Sequence, residues 1–178
     1  MHDILIIGAG VIGASVARAV SAYAVKTIVI EKNHDVCEET SKANSGIVHA
    51  GYDAHPGTNK AVFNLRGSRM MAAFCHEHQI PYRNNGSLVL GFAEEDLPKL
   101  EALRDQGTKN GVEGLVILSA AEAKRLEPNL SNDVKYALLA PTGGIVDPFE
   151  LTIAQAEVAM VNGVEFAFDT LVGNIRPI

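Results

Sequence analysis

A mixed α/β fold, a parallel-sheet domain interrupted by a strand-rich lobe, is what this 178-residue sequence predicts. Three observations carry that reading. The chain opens strand–helix–strand, its middle is dense in short strand patterns, and its end returns to a helix followed by strands.

ILII at 4–7 is a short apolar run ended by glycine, the pattern of a buried parallel strand. From residue 11 the period changes. Ile12, Val16, Ala19, Val20 and Tyr23 recur at helical spacing and predict one apolar face laid on a sheet. TIVI at 27–30 is the next buried strand and closes a βαβ unit. Phe63, Gly67, Met70 and Phe74 predict a helix over roughly 59–78.

In the middle, GSLVLGF (86–92) reads as a strand, and Leu97, Leu100 and Leu103 mark an amphipathic helix. LVIL (115–118) is a strand; Ser119 and Glu122 form a capping box for a short helix stopped by Pro128. VKYALLAP (134–141) is a further strand. Asp147, Pro148 and Glu150 supply a cap, a first-turn proline and a capping-box acid. Leu151, Ala154, Val158 and Val161 continue that helix to Asn162-Gly163, and VEFAF (164–168) and LVGNI (171–175) are the closing strands. The expected domains are 1–79 with 147–178, and a lobe at 80–146 inserted between them.

Composition limits the function classes. The net charge is −6 with no lysine or arginine run, which argues against nucleic acid and against bulk membrane binding, since both need clustered cations. Residues 4–25 are nearly uncharged, but Arg18 and three glycines interrupt them, so neither a signal peptide nor a spanning helix is expected. Two cysteines, Cys37 and Cys75, build neither a disulfide scaffold nor a four-ligand metal site; a reducing, cytoplasmic location fits. CHEH at 75–78 does not put its ligand-type side chains on one helix face, and no second cluster completes a shell, so no metal is expected.

The chemistry sits first in GAGVIG. Gly8 permits a tight turn, Gly10 lets backbone approach a pyrophosphate, and Gly13 lets helix and strand pack closely. The helix N-terminus, with Val11 and Ile12, offers N–H groups and a positive dipole end to phosphates. Glu31, eighteen residues past Gly13 at the end of the second strand, suits the two ribose hydroxyls of an adenosine and opposes a 2′-phosphate. The ligand is an ADP-containing dinucleotide. This spacing leaves NAD and FAD both open.

The stretch TSKANSGIVHAG (40–51) follows where an NAD-type domain would begin another βαβ unit. With GAGVIG, Glu31-Lys32, LEPNL (126–130) and GGIVDP (143–148), it resembles the FAD-dependent oxidoreductases of the D-amino-acid oxidase superfamily, nearest their glycerol-3-phosphate dehydrogenase and 2-hydroxyglutarate oxidase branch. The resemblance implies a Rossmann-like FAD-binding domain carrying a partial, inserted substrate-domain sheet. It implies FAD as cofactor, held by Gly8, Gly10, Val11, Ile12, Gly13, Glu31 and Lys32. Thr40 and Ser41 would then lie along the pyrophosphate and ribityl chain, Asn44, Ser45 and Gly46 beside the ring, Val48 and His49 near it, and Val172 at the adenine. His49 is the candidate for a direct chemical role, by hydrogen-bonding the flavin, orienting substrate or taking a proton from an alcohol. Lys60, Arg66 and Arg69 are candidate partners for a small anionic substrate.

Members of that superfamily are usually much longer, so the chain is expected to be a truncated, catalytically incomplete first portion that self-associates through an open sheet edge and an uncovered apolar face. Two other readings stand beside it: an NAD-dependent dehydrogenase, and a non-catalytic binding fragment.

Overall fold

The structure, a computed structural model, describes residues 1–176. It forms two compact units. The first comprises Met1–Gly46, His78–Pro81 and the chain from Val146 onward; the second comprises Ile47–Glu77 and Tyr82–Ile145.

In the first unit, β1 (Ile4–Ile7), β2 (Thr27–Ile30) and β9 (Glu165–Ala167) make a parallel sheet in the order β1-β2-β9. Between the first two strands runs α1 (Val11–Val20), and α5 (Pro148–Val161) precedes β9. The core under the helices is built of small residues. Ala14 and Ala17 of α1 and Ala156 and Ala159 of α5 are buried with Val29 of β2, and Ile6 of β1 packs against them. Alanines let the two helices pack at short range, because no long side chain holds their backbones apart.

The apolar face expected for α1 is therefore not the buried one. Ile12 and Tyr23 are 76% and 71% exposed, and Val16 is exposed as well. The pattern followed the large side chains, while packing against α5 selects the alanines. In α5, Leu151 is buried as expected, but Thr152, Gln155, Ala156 and Ala159 complete the buried stripe and Val161 faces solvent. Leu5 and Ile7 alternate along β1 with the half-buried Ile4 and Ile6 and are 52% and 54% exposed.

Both ends of α5 match their sequence signals. Asp147 Oδ1 accepts from the Phe149 and Glu150 N–H groups at 2.9 and 3.0 Å, Pro148 opens the helix, and Gly163 follows it at φ +94°. The expected strand at LVGNI is absent. Asp169, at φ +50°, turns the chain after β9, and the Asp169 and Thr170 N–H groups bond the Asn33 and Glu31 carbonyls, so residues 171–176 leave the sheet. Pro177 and Ile178, the end of the expected terminal segment, lie outside the described residues.

In the second unit, β5 (Ser87–Gly91), β7 (Tyr136–Ala140) and β6 (Val116–Ser119) form an antiparallel sheet with β7 in the centre, its Ala137, Leu138 and Ala140 buried. On it lie α3 (Leu97–Asn110) and α4 (Ala120–Leu126). Asp96, just before α3, is held down to about 2 by the Lys99 ammonium and by the Phe92 and Ala93 N–H groups. A second sheet runs β3-β8-β4, from β3 (Ile47–Val48), β8 (Gly144–Val146) and β4 (Tyr82–Arg83). These two- and three-residue strands are too short to show a period, and none was expected.

α2 (Asn59–Glu77) covers the expected range with a different face inward. Ala61 and Cys75 are buried and Leu65 packs against Val112, whereas Phe63 and Met70 are exposed. The sequence boundaries place this helix with the nucleotide-binding part; by packing, against β4 and α3, it groups with the second unit.

Candidate cofactor site

β1 ends at Ile7, and Gly8 turns the chain at φ +99°, its N–H bonded to the Ile30 carbonyl at 2.8 Å. That bond ties the turn to the end of β2. A Cβ on Gly13 would stand 1.9 Å from the Gly8 carbonyl oxygen, so α1 can rise this close to β1 only with glycine there. Around the turn, Ala9 is fully buried, and Ala14 is the first α1 residue whose N–H closes onto the turn, at Gly10 O, 2.9 Å.

Two side chains from elsewhere in the chain hold this turn. Glu31, buried at 7% exposure, accepts from the Ala9 N–H at Oε2, 2.7 Å, and from the Asn33 N–H at Oε1, 2.8 Å. Ser41 Oγ accepts from the Val11 N–H at 2.9 Å, and a Cβ on Gly10 would come within 2.9 Å of the same Oγ. An acid and a hydroxyl thus accept from the N–H groups of a glycine turn at a helix N-terminus.

Beside the turn is a cavity of about 310 Å³ lined by Gly8, Gly10, Glu31, Lys32, Thr170 and Val172 among others. Val172 reaches it because residues 169 and 170 are bonded along the end of β2. Lys32 and Glu39 form an ion pair at 2.8 Å at its rim; their hydrogen bond raises the lysine and lowers the glutamate from their ordinary values.

Of the residues expected at the cofactor, Gly8, Gly10, Glu31, Lys32 and Val172 line this cavity, and Val11 and Gly13 build the turn beside it. Ile12 lies one residue into α1 and is exposed. Thr40, Asn44 and Ser45 are exposed in the turns that follow, where Asn44 accepts from the Gly46 N–H at 2.7 Å. Gly46 is buried. Val48 and His49 belong to the second unit, Val48 buried in β3 and His49 exposed after it.

The candidate substrate cations are partly engaged already: Lys60 pairs with Asp53 at 3.4 Å and Arg69 with Glu113 at 3.4 Å. The reading of the sequence did not place Glu39 or Thr170 at the cavity; no spacing rule marks either, since both arrive through turns. Cys75 is buried, its thiol pushed up by burial, and among the described residues no group of three His, Cys, Asp or Glu is placed to hold a metal ion.

Comparison with known proteins bears on the same residues. A family model described as "FAD dependent oxidoreductase" (DAO) matches residues 3–177. A glycerol 3-phosphate dehydrogenase of Caloramator mitchellensis is 47% identical over 176 residues, which are 99% of this chain and 37% of that protein. A mitochondrial L-2-hydroxyglutarate dehydrogenase of Arabidopsis thaliana is 37% identical over 87% of this chain and 32% of its own length. Among solved structures, the dithionite-reduced L-alpha-glycerophosphate oxidase of Mycoplasma pneumoniae with FAD bound superposes with a TM-score of 0.91, at 31% identity, over 97% of this chain and 46% of that one. The chain thus spans about a third to a half of the length of the relatives it matches.

Proposed function

The chain belongs to the family of FAD dependent oxidoreductases, and on that premise we propose that its first unit holds the ADP half of FAD at the Gly8–Gly13 turn, as part of a protein that oxidises a small hydroxy acid or glycerol 3-phosphate. Family membership decides between the two dinucleotides that the glycine spacing left open. One observation carries the residue assignment: the Glu31 carboxylate, bonded to the Ala9 N–H, lines a cavity whose other walls include Gly8, Gly10 and Val172.

In this reading the turn and the first N–H groups of α1 receive the pyrophosphate, and Glu31 receives the ribose hydroxyls. Lys32 adds a cation at the rim. Thr40, Asn44, Ser45 and Gly46 supply short side chains and open backbone along the cofactor's length, and Val48 and His49 serve its ring end. When bound, the flavin would supply the redox chemistry, as the hydride acceptor for the substrate carbon. The protein's part is to orient that carbon and to remove the hydroxyl proton, and His49 is the residue we assign to the proton. A small anionic substrate fits the relatives named glycerol 3-phosphate and L-2-hydroxyglutarate dehydrogenases.

Among the described residues no helix is long and apolar enough to cross a membrane. We place the protein in the cytoplasm, a reading supported by two cysteines that are both free. Leu5, half exposed on β1, supports self-association of the 178-residue chain, and light scattering that returns a monomer at all concentrations argues against it.

Calorimetric titration of the chain with FAD, ADP and NAD tests the central claim. Binding of FAD and ADP, with both weakened in Glu31→Ala, supports it. Binding of NAD without FAD reverses it.

A further inference from the structure

The second unit holds a cavity of about 220 Å³ between one face of α2 and the turns that follow β4, α3 and β7, and we propose that it is a binding site for a small neutral polyol. No residue lining it lines the cavity at the glycine turn, so it stands or falls independently of the cofactor reading.

The walls are held firmly. α2 contributes Leu65, Ser68, Arg69 and Ala72, spaced three and four residues apart and therefore on one helix face. Asn84 spends both donors of its amide, on the Pro141 carbonyl at 2.7 Å and the Gly143 carbonyl at 2.8 Å. Those carbonyls flank Thr142, so its backbone is held from both sides, and the Asn84 Oδ1 is left to accept. Thr142 lines the cavity too, and its Oγ1 is buried with no hydrogen-bond partner among the described residues. A buried hydroxyl in that condition carries a desolvation cost that a partner relieves. Rotation between the staggered χ1 wells of threonine turns the hydroxyl without moving the backbone.

Charge selects the ligand class. Arg69 is the one cation in the lining, and it is already answered twice. Its Nη2 donates to the Gly111 carbonyl at 3.1 Å and lies 3.4 Å from Glu113 Oε1. Gly111 is the C-cap of α3, the negative end of that helix dipole. A phosphate or carboxylate entering here meets a carboxylate and that dipole end as well as the arginine. A neutral ligand meets no such opposition. The other polar groups both give and take: the Ser68 and Thr142 hydroxyls, the Asn84 and Glu113 oxygens, and the Tyr82 phenol, which burial pushes up and so keeps protonated. Hydroxyl groups on a ligand match them, each with one donor and two lone pairs. Leu65 and Ala72 add apolar surface for the carbon chain between. The volume equals the liquid share of about seven waters, which suits a chain of about three to six carbons and excludes drug-sized molecules.

A chemical-shift titration of the isotope-labelled 178-residue chain tests this, with xylitol, glycerol 3-phosphate and serine as neutral, anionic and zwitterionic probes. Xylitol is expected to shift the Ser68, Arg69, Gly111 and Thr142 amides along saturating curves, with a dissociation constant on the order of 1–10 mM. Thr142→Val keeps the side chain's shape and removes its hydroxyl, and Ser68→Ala removes the hydroxyl on α2. Each is expected to weaken xylitol binding about threefold or more. If the valine disturbs the turn, the Ser68→Ala result decides alone. Shifts that stay linear to the highest concentration are a solvent effect and overturn the site. Tighter binding of glycerol 3-phosphate or serine at the same amides overturns the neutral class. Unchanged xylitol affinity in both variants takes the hydroxyls out of the site and overturns the assignment.

Discussion

At the start of α4, Ser119 and Glu122 satisfy each other across three residues: the Ser119 N–H donates to Glu122 Oε2 at 2.8 Å, and the Glu122 N–H donates to Ser119 Oγ at 3.4 Å. At the start of α1 the same need is met by residues 22 and 30 positions from their partners, Glu31 at Ala9 and Ser41 at Val11. The first device is complete in one turn of chain and leaves the helix end closed. The second depends on the tertiary fold and leaves a glycine-only surface facing a cavity. The start of α1 keeps its own sequence bare and borrows its acceptors from distant turns.

The contrast breaks most severely at Gly13. Gly13→Ala forces a methyl group into the Gly8 carbonyl, and the chain is expected to lose about 3 kcal/mol or more, read as a fall in the urea midpoint; a wild-type midpoint would mean that α1 can lift from β1 freely. Next comes Glu31→Ala, which strips the acceptors from the Ala9 and Asn33 N–H groups. A loss of about 1–3 kcal/mol is expected for leaving buried donors unpaired, together with weaker ADP binding by calorimetry. Ser119→Ala removes the local cap of α4 and should cost about 1 kcal/mol. Ser119 lines no part of the cavity at the glycine turn, so its melting-temperature deficit should stay constant as ADP is added. The smallest effect has the opposite sign. A Cβ on Gly67, inside α2, meets nothing within 4 Å, so Gly67→Ala should stabilise the chain by about 0.5–1 kcal/mol, visible as a raised urea midpoint.

The same contrast explains what the sequence could show. Local devices were legible: the glycine spacing, the Ser119–Glu122 box, Asp147 before Pro148, and every helix longer than one turn. Helix faces were not. In α1, α2 and α5 the periodic large residues (Ile12 and Val16, Phe63 and Met70, Val161) are exposed, while alanines, Cys75, Thr152 and Gln155 lie inward. Hydrophobic periodicity weights bulk, whereas close helix packing in this core selects small side chains. LVGNI has strand composition, but the turn at Asp169 denies it a partner. The contacts of Ser41 and Glu39 depend on turns that bring distant segments together, and no local pattern encodes them.

Gly46 has a longer-range consequence. A Cβ there would lie 2.2 Å from the Val146 carbonyl oxygen, and the Gly46 carbonyl accepts from the Val146 N–H at 2.8 Å. The Asp147 N–H in turn donates to the Pro81 carbonyl at 3.0 Å. Three passes of the polypeptide, a hundred residues apart at their extremes, are thus stitched by main chain alone. Such a seam is indifferent to which side chains flank it. Both excursions, 47–77 and 82–145, begin and end at this seam, so a side chain at position 46 would disturb the point that closes them.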